Sequence, residues 1–217
     1  SATTGKMLKS NPRITDEAVP FNMEADSLNC SVLGPNATPE TPEFNLFIKE
    51  VRKEMTVKCG QKCTAIRRII VPANLIEDVQ IALGNQLSKV SIGNPQTEGV
   101  RMGALASKDQ VAEVRDRVKE LAKTAEIVYG SLDKVDLIDA NYEDGAFLSP
   151  ILLREDDPFN NTAVHEVEAF GPVSTIMPYN DLDEAVTLAQ MGKGSLCCSI
   201  ATNDNDVARD FTIEAAT

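Results

Sequence analysis

The spacing of apolar residues along the chain predicts helices that alternate with short buried strands. Helical periodicity is clearest in residues 42–52 and in a stripe at positions 111, 114, 118 and 121, which Ser107 precedes as a potential N-cap. The same pattern predicts further helices at residues 75–90, 180–191 and 206–214. Apolar runs typical of strands occupy residues 29–33, 65–71, 127–129, 147–154, 173–178 and 196–201. Strands separated by helices of this length predict a three-layer α/β fold, with a mostly parallel twisted sheet and helices on both faces.

Composition narrows the possible partners. The 217 residues are 42% hydrophobic and 25% charged, which is the balance of a globular domain of ordinary size. A formal net charge of −12 argues against nucleic acid or an anionic membrane surface as a partner, because both would be repelled. The sequence shows no secretion signal and no apolar run of membrane length, so we expect a cytoplasmic protein without a membrane partner.

The five cysteines do not form the pattern of a disulfide framework or a metal site. Their number is odd and their spacing irregular, so we expect reduced thiols. Cys59 and Cys63 are separated by three residues, not two, and the chain has a single histidine, so it offers almost no ligand set for zinc and we predict no metal site. Cys30, Cys197 and Cys198 lie in apolar runs, where small hydrophobic core residues are expected.

Cys63 stands out because of where it lies between two predicted elements. It belongs to the sequence Gly-Gln-Lys-Cys-Thr at residues 60–64, between a predicted helix and a predicted strand, where a side chain can face a cleft. The thiolate is the reactive form of cysteine, and a cationic neighbour such as Lys62 or a ring of backbone amides favours it. The alternative is that Cys63 is a small buried core residue.

Several segments resemble motifs of one family, the aldehyde dehydrogenase superfamily. Residues 60–64 resemble its nucleophile motif, and residues 168–173, Glu-Ala-Phe-Gly-Pro-Val, resemble its cofactor motif. Between them, residues 90–95 and 102–107 resemble the family's glycine-x-proline and glycine-proline-leucine-isoleucine segment. The order of these segments along the chain is the order in the family.

The resemblance implies roles for individual residues. Cys63 would be the catalytic nucleophile, Glu168 would bind the ribose hydroxyls of a nicotinamide cofactor, and Phe170 would pack near the nicotinamide ring. Ala169 departs from the family pattern, which usually has a bulky aliphatic residue there. The implied cofactor is NADP or NAD, and the implied substrate is an aldehyde. His165 raises the possibility of a protease-type Cys–His dyad, but nothing near it in sequence resembles a protease.

Glu24 is the candidate for the second catalytic group. In the family, a glutamate shortly before the nucleophile activates water, and Glu24 occupies the matching position, although the residues after it differ from the usual Leu-Gly-Gly-Lys. This implies hydrolysis of the intermediate to a carboxylic acid. Two alternatives stay open: an acylating enzyme that uses coenzyme A in the second step, and a non-catalytic domain in which Cys59 and Cys63 form a redox-sensing pair.

The resemblance also implies a domain organisation. Ser1 and Gly5 belong to a stretch that resembles the family's serine-x-x-threonine-glycine turn, a cofactor-binding element of the nucleotide-binding domain. We therefore expect residues 1–25 to be the tail end of that domain and residues 26–217 to be a C-terminally truncated catalytic domain. Since family members are about twice as long, the chain alone is expected to be inactive or nearly so, and the parent protein to be a homo-oligomer.

Within the family, one subfamily is the best match to residues 23–29, the proline-rich loop at residues 34–42, and residues 54–68. These segments look most like the bacterial bifunctional enzymes of phenylacetate degradation, in which an aldehyde dehydrogenase is fused to an enoyl-CoA hydratase that opens an oxepin-CoA ring. That resemblance implies a CoA-linked semialdehyde as substrate, NADP as the cofactor, and a hydratase domain beyond residue 217.

Overall fold

The computed structural model describes residues 2–23, 25–133 and 135–216 of the chain. Its helices are α1 Ala2–Lys9, α2 Pro12–Asp16, α3 Pro42–Thr56, α4 Ile76–Leu87, α5 Lys108–Leu121, α6 Leu182–Gln190 and α7 Asn205–Ala215. Its strands are β1 Cys30–Leu33, β2 Arg68–Pro72, β3 Glu126–Tyr129, β4 Ile151–Arg154, β5 Val173–Tyr179 and β6 Cys198–Ala201. From β1 onward, the order of helices and strands is the one that the apolar pattern predicts.

The six strands form one sheet in the order β3-β4-β5-β2-β1-β6. All neighbouring pairs are parallel except β3 and β4, which pair antiparallel at one edge. Parallel neighbours need a crossover connection. Helix α3 lies in the connection between β1 and β2, whereas the connection between β4 and β5 contains only a short 3-10 helix, Thr162–His165. The mostly parallel α/β sheet is therefore confirmed.

Two separate hydrophobic clusters show that helices cover both faces of the sheet. Ile69 and Val71 of β2 pack in one cluster with α3 and α4, whereas Ile70 between them packs in the other cluster with α5, α6 and α7. Alternate residues of a strand point to opposite faces, so a central strand that is apolar at every position serves both clusters. The three-layer arrangement is confirmed.

Side-chain caps explain where three of the helices begin. Thr41, Ser107 and Asp181 each accept a hydrogen bond from the backbone N–H three residues later, at the starts of α3, α5 and α6. Such a cap satisfies an N–H that the first helical turn leaves without a partner. The predicted N-cap role of Ser107 is confirmed.

Four of the observed strands, β1, β2, β4 and β6, are shorter than the apolar runs that predicted them. The run at residues 147–154 forms a strand only from Ile151 onward, because Pro150 has no N–H to donate to the ladder. The N–H of Ile151 donates to Pro172 O at 2.9 Å, at the start of the pairing with β5. Residues 147 and 148 are buried without belonging to the sheet.

The predicted burial of the three outlying cysteines is only partly confirmed. Cys30 of central strand β1 is in the core, with 3% of its surface exposed. Cys197 and Cys198 are exposed, so the expectation of core positions was wrong for them. They belong to or precede β6, which lies at the edge of the sheet, and an apolar run does not reveal whether a strand is central or at an edge.

The N-terminal helices pack loosely against the rest of the chain. Helix α2 contains no buried residue, and Met7, Leu8, Val19 and Met23 are exposed. The predicted boundary that assigns residues 1–25 to a different domain stays a prediction. No helix within the described ranges is long and apolar enough to cross a membrane.

Candidate functional site

Cys63 lies on a tight turn that leaves its side chain exposed. The turn follows α3, and Lys58, Cys59 and Gly60 all have a left-handed backbone, with φ of 53°, 54° and 66°. Gly60 also packs against the 168–171 segment so closely that a Cβ on it would overlap the carbonyl oxygen of Gly171. A glycine is therefore required at position 60, both for its φ and for the close approach of the two loops.

A buried asparagine side chain is hydrogen-bonded to the backbone of this turn. Asn29, at the start of β1, donates from Nδ2 to the backbone oxygens of Cys63 at 2.8 Å and Ala65 at 3.0 Å. Its Oδ1 accepts from the N–H groups of Cys197 and Leu196 at 2.8 and 3.0 Å. One amide thus connects the cysteine turn to the segment that leads into β6. Sequence reasoning missed Asn29, because nothing local marks an asparagine that satisfies backbone groups distant in sequence.

Gln61 connects the cysteine turn to both other segments that carried the family resemblance. Its Oε1 accepts from the Ala106 N–H at 2.9 Å, and its Nε2 donates to Phe170 O at 3.2 Å and to Gln110 at the start of α5. Since these bonds use the acceptor and both donors of the amide group, the side chain is held in one orientation. The three motif segments meet at this residue.

Arg67 is the second residue that sequence reasoning missed. Its side chain is 4% exposed and donates from Nη2 to Gly60 O at 2.7 Å and from Nη1 to Gly171 O at 2.6 Å. Its Nε lies 3.4 Å from Oε1 of Glu168, and its guanidinium lies 5.5 Å from the centre of the Phe170 ring. The available signal was an arginine inside a run expected to be buried, since a buried charge requires partners.

Glu168 is a largely buried carboxylate with two partners. Its Oε1 faces Arg67, and its Oε2 accepts from the Ser27 N–H at 3.3 Å. Burial raises the pKa of the Glu168 carboxyl from its ordinary value, while Arg67 and the Ser27 N–H act to lower that pKa and Asp26 acts to raise it. Each oxygen keeps a lone pair that can accept a hydroxyl group of a ligand.

The structure brings Cys63, Glu168 and Phe170 together on one groove of about 660 Å³. Phe170 is 37% exposed, so part of its ring is accessible from the groove. Ala25 and Asp26, which follow Glu24 in sequence, and Lys6 of α1 line the same groove. Helix α5 contributes charged residues on another side, namely Glu113, Arg117 and Glu120.

The remaining predicted site residues are not brought to the groove by what the structure describes. Ser1 and Glu24 lie outside the described residues. Gly5 lies within α1, next to the groove residue Lys6, and packs against the side chain of Met23. The cofactor-binding role of Ser1 and Gly5 stays a prediction, as does the catalytic role of Glu24.

Lys62, the cationic neighbour of Cys63, and Cys59, its thiol neighbour, both interact with other groups. Lys62, which we expected to favour the thiolate, forms an ion pair with Glu54 at 2.7 Å, so much of its charge is compensated. Cys59 is buried, with its Sγ at 3.2 Å from the carbonyl oxygens of Gly103 and Ala104. Burial raises the pKa of the Cys59 thiol to about 11. Because the thiolate is the reactive form, this argues against Cys59 and Cys63 as a redox pair.

His165 is a structural residue of the core. Arg68 donates from Nη1 to His165 Nδ1 at 3.0 Å, and His165 donates from Nε2 to Pro158 O at 2.9 Å. Burial and the nearby Arg68 charge lower the pKa of His165 to about 4. A neutral histidine with both nitrogens engaged in this way cannot serve as the base of a Cys–His dyad.

The groove residues fit one part of a nicotinamide cofactor. Glu168 offers carboxylate lone pairs suited to ribose hydroxyls, and the exposed ring of Phe170 offers an apolar surface suited to a flat ring. Both lie on the groove that Cys63 lines, so a nicotinamide riboside would fit beside Cys63. Among the described residues, no group of three or more histidine, cysteine or acidic side chains is placed to hold a metal ion.

The chain is similar to known proteins in both sequence and fold. The profile of the aldehyde dehydrogenase family matches residues 4–216. The 3,4-dehydroadipyl-CoA semialdehyde dehydrogenase of Aromatoleum evansii is 43% identical over 204 residues, which cover 94% of this chain and 40% of that protein. The chain thus spans about 40% of the length of this curated relative.

Two solved structures share the fold. Apo betaine aldehyde dehydrogenase from Staphylococcus aureus superposes with a TM-score of 0.84 at 23% identity, over 99% of this chain and 41% of that one. Aldehyde dehydrogenase C from Pseudomonas syringae, in complex with NAD+ and octanal, superposes with a TM-score of 0.81 at 22% identity, over 98% and 41%.

Proposed function

Because this chain belongs to the aldehyde dehydrogenase family, we propose that it carries the nucleophile and the nicotinamide-ribose site of an enzyme that oxidises an aldehyde to a carboxylic acid with NAD or NADP. The observation that carries this proposal is the single groove lined by Cys63, Glu168 and Phe170. Residues more than 100 positions apart in sequence meet there, each with the chemistry that its role requires.

Cys63 performs the covalent chemistry in this proposal. Its thiolate attacks the aldehyde carbonyl carbon and forms a thiohemiacetal, whose oxygen takes up negative charge. Within the described part of the chain, the backbone N–H of Cys63 donates to no acceptor, so it is available to stabilise that oxygen. Such a donor contributes roughly 10²–10³ in rate. The nicotinamide, when bound, supplies the hydride acceptor.

The thioester left on Cys63 is then cleaved, and we assign the activation of water to Glu24. The support is the position of Glu24 in sequence, since Ala25 and Asp26 directly after it line the groove. Hydrolysis distinguishes this enzyme from an acylating one that passes the acyl group to coenzyme A. In the enzyme that contains this chain, Glu24→Gln is expected to slow the release of free acid. Release of free acid at the wild-type rate would remove Glu24 from that role.

The substrate proposed here is a CoA-linked semialdehyde of aromatic catabolism. The support is the 43% identity with a 3,4-dehydroadipyl-CoA semialdehyde dehydrogenase, together with the resemblance of residues 23–29 and 54–68 to the bifunctional phenylacetate-degradation branch. Within that proposal, a fused hydratase and a preference for NADP remain the finer expectations. The kcat/KM for a semialdehyde presented as its CoA thioester should exceed that for the same semialdehyde as a free acid by at least about tenfold. Equal values would contradict a CoA-linked substrate.

The nucleophile assignment is tested with a matched pair of cysteine variants. In the enzyme that contains this chain, Cys63→Ala should lower aldehyde oxidation by at least about 10³-fold, because the covalent step is lost. Cys197→Ala is the control, since Cys197 is also exposed but does not line the groove. Reduced cofactor is measured by its absorbance. Turnover of Cys63→Ala at the rate of the Cys197→Ala control would reject the proposal.

A further inference from the structure

We propose that Arg67 is a positioning residue that fixes Glu168 and Phe170 relative to the Cys63 turn, so that the cofactor ribose is bound at a set place beside the nucleophile. This inference rests on the proposed function of the groove. Arg67 does not line the groove itself, and it acts through the residues that do.

Arg67 joins backbone carbonyl groups of two loops. One guanidinium donates to Gly60 O, in the cysteine turn, and to Gly171 O, in the cofactor motif, at 2.7 and 2.6 Å. The two loops approach so closely at these glycines that there is no room for a Cβ on Gly60. A planar fork with several fixed donors can bridge two carbonyl groups in this way, whereas a lysine ammonium is a point charge on a flexible stem.

Arg67 also acts on the charge of Glu168. Burial and Asp26 favour the protonated form of its carboxyl, and Arg67 is the cation that acts against them. Glu54, the ion-pair partner of Lys62, acts in turn to raise the pKa of Arg67. An ionised carboxylate is acceptor-only, so both of its oxygens can receive ribose hydroxyls, while a protonated carboxyl has lost part of that capacity. Arg67 therefore acts to lower the pKa that burial raises, which favours the ionised form suited to bind the ribose.

Arg67 also contacts the Phe170 ring. The guanidinium of Arg67 lies over this ring, and Phe170 lines the groove. A cation over the face of an aromatic ring is attracted to it, so this contact favours the observed position of the ring. The acceptor and the apolar surface that the nicotinamide riboside would contact are thus both held by one buried side chain.

The test uses direct binding of NAD+ and NADP+ by calorimetry to the enzyme that contains this chain, at about pH 5 and about pH 8, the lower of which is closer to the ordinary pKa of a glutamate. Arg67→Gln removes the charge and Arg67→Lys keeps it. Arg68→Gln is the matched control, because Arg68 is the adjacent buried arginine and its bonds go to Leu28 O, Leu188 O, Ala189 O and His165 instead.

Arg67→Gln should weaken binding of the tighter cofactor by about tenfold or more, with a larger loss at the lower pH, since a protonated Glu168 loses a charge-assisted hydrogen bond. Arg67→Lys should bind with the pH dependence of the wild type but with lower kcat, because the charge remains while the bridge between the loops is lost. Arg68→Gln should lower thermal stability without adding a pH dependence to cofactor binding.

Three results would overturn the inference: wild-type affinity of Arg67→Gln at both pH values, the same pH-dependent loss in Arg68→Gln, or wild-type kcat in Arg67→Lys. If Arg67→Gln does not fold, Arg67→Lys decides. Failure of the proposed function looks different, because the wild type would then bind the cofactor without oxidising any aldehyde. A wild type that binds neither cofactor would overturn both proposals.

Discussion

Cys59 and Cys63 are four positions apart in sequence, yet their environments are opposite. Cys59 is buried against two carbonyl oxygens with a raised pKa, and Cys63 is exposed on the groove. The change from a buried to an exposed side chain depends on three consecutive residues with a left-handed backbone, which end at Gly60. At the scale of single residues, the exposure of Cys63, the proposed nucleophile, is therefore a property of the backbone of the turn and not of the charge of Lys62.

Gly60→Ala should lower the free energy of unfolding strongly. The variant combines an unfavourable left-handed φ with an overlap between the new Cβ and Gly171 O. Gly99→Ala is the control, because Gly99 has a φ of 88° and nothing within 4 Å of the site where its Cβ would lie. We expect Gly60→Ala to lower the free energy of unfolding by about 2 kcal/mol more than Gly99→Ala does. Urea denaturation measures both, and equal losses would contradict the close packing of the two loops.

The residues of the site that could be predicted are those that belong to contiguous motifs. Cys63, Glu168 and Phe170 were identified in this way, and the structure brings them to one groove. Arg67 and Asn29 were not, because their partners lie up to 168 positions away and become neighbours only when the sheet assembles. A motif search finds residues that touch ligands more readily than residues that hold other residues in place.

At the scale of elements, periodicity predicted the helices better than the strands. Helix α5 was identified by both its apolar stripe and its cap, since each is a local property of the sequence. The antiparallel pairing of β3 with β4, and the late start of β4 after Pro150, depend on pairing between strands. Neither pairing nor edge position can be inferred from one apolar run, which is also why Cys197 and Cys198 were misplaced.

The start of α5 gives a prediction at this scale. Ser107→Ala removes the side-chain oxygen that accepts the Gln110 N–H at 3.2 Å, and should lower the free energy of unfolding by about 1 kcal/mol. Ser88→Ala is the control, because the Ser88 hydroxyl donates to Asn85 O on an exposed helix end, and its loss should cost under about 0.5 kcal/mol. Thermal unfolding compares the two, and equal stabilities would contradict the cap.

At the scale of the whole molecule, the pH dependence of stability should include a contribution from the buried His165 side chain. Its pKa is about 4 in the folded chain and 6.5 ordinarily, so between these values the unfolded chain binds a proton that the folded chain does not. The free energy of unfolding therefore falls as pH drops from about 6.5 to about 4, by up to about 3 kcal/mol from this residue.

His165→Gln should remove that part of the pH dependence. A glutamine retains groups able to donate to Pro158 O and accept from Arg68, but it does not titrate. Glu168, whose raised pKa has the opposite effect, is present in both proteins, so its contribution cancels in the difference. Chemical denaturation across this pH range measures the difference, and parallel curves for the two proteins would show that His165 is not buried as a neutral group.

The whole fold also shows why one groove can serve a reaction with several participants. Cys63 reaches it from the turn before β2, Glu168 and Phe170 from the loop before β5, and charged residues from α5, because β2 and β5 are neighbours in the sheet. The chain spans about 40% of the Aromatoleum evansii relative, so the binding of a whole cofactor is a proposal.

The central claim is that the aldehyde is oxidised while bound covalently to Cys63. The most direct measurement is to mix the enzyme that contains this chain with aldehyde and cofactor, quench it in acid during the first turnover, and map the modified peptides by mass spectrometry. We predict an acyl adduct on Cys63, formed together with the reduced cofactor and absent from Cys30, Cys59, Cys197 and Cys198. Reduced cofactor that forms while Cys63 carries no acyl group, or with the adduct on another cysteine, would contradict the claim.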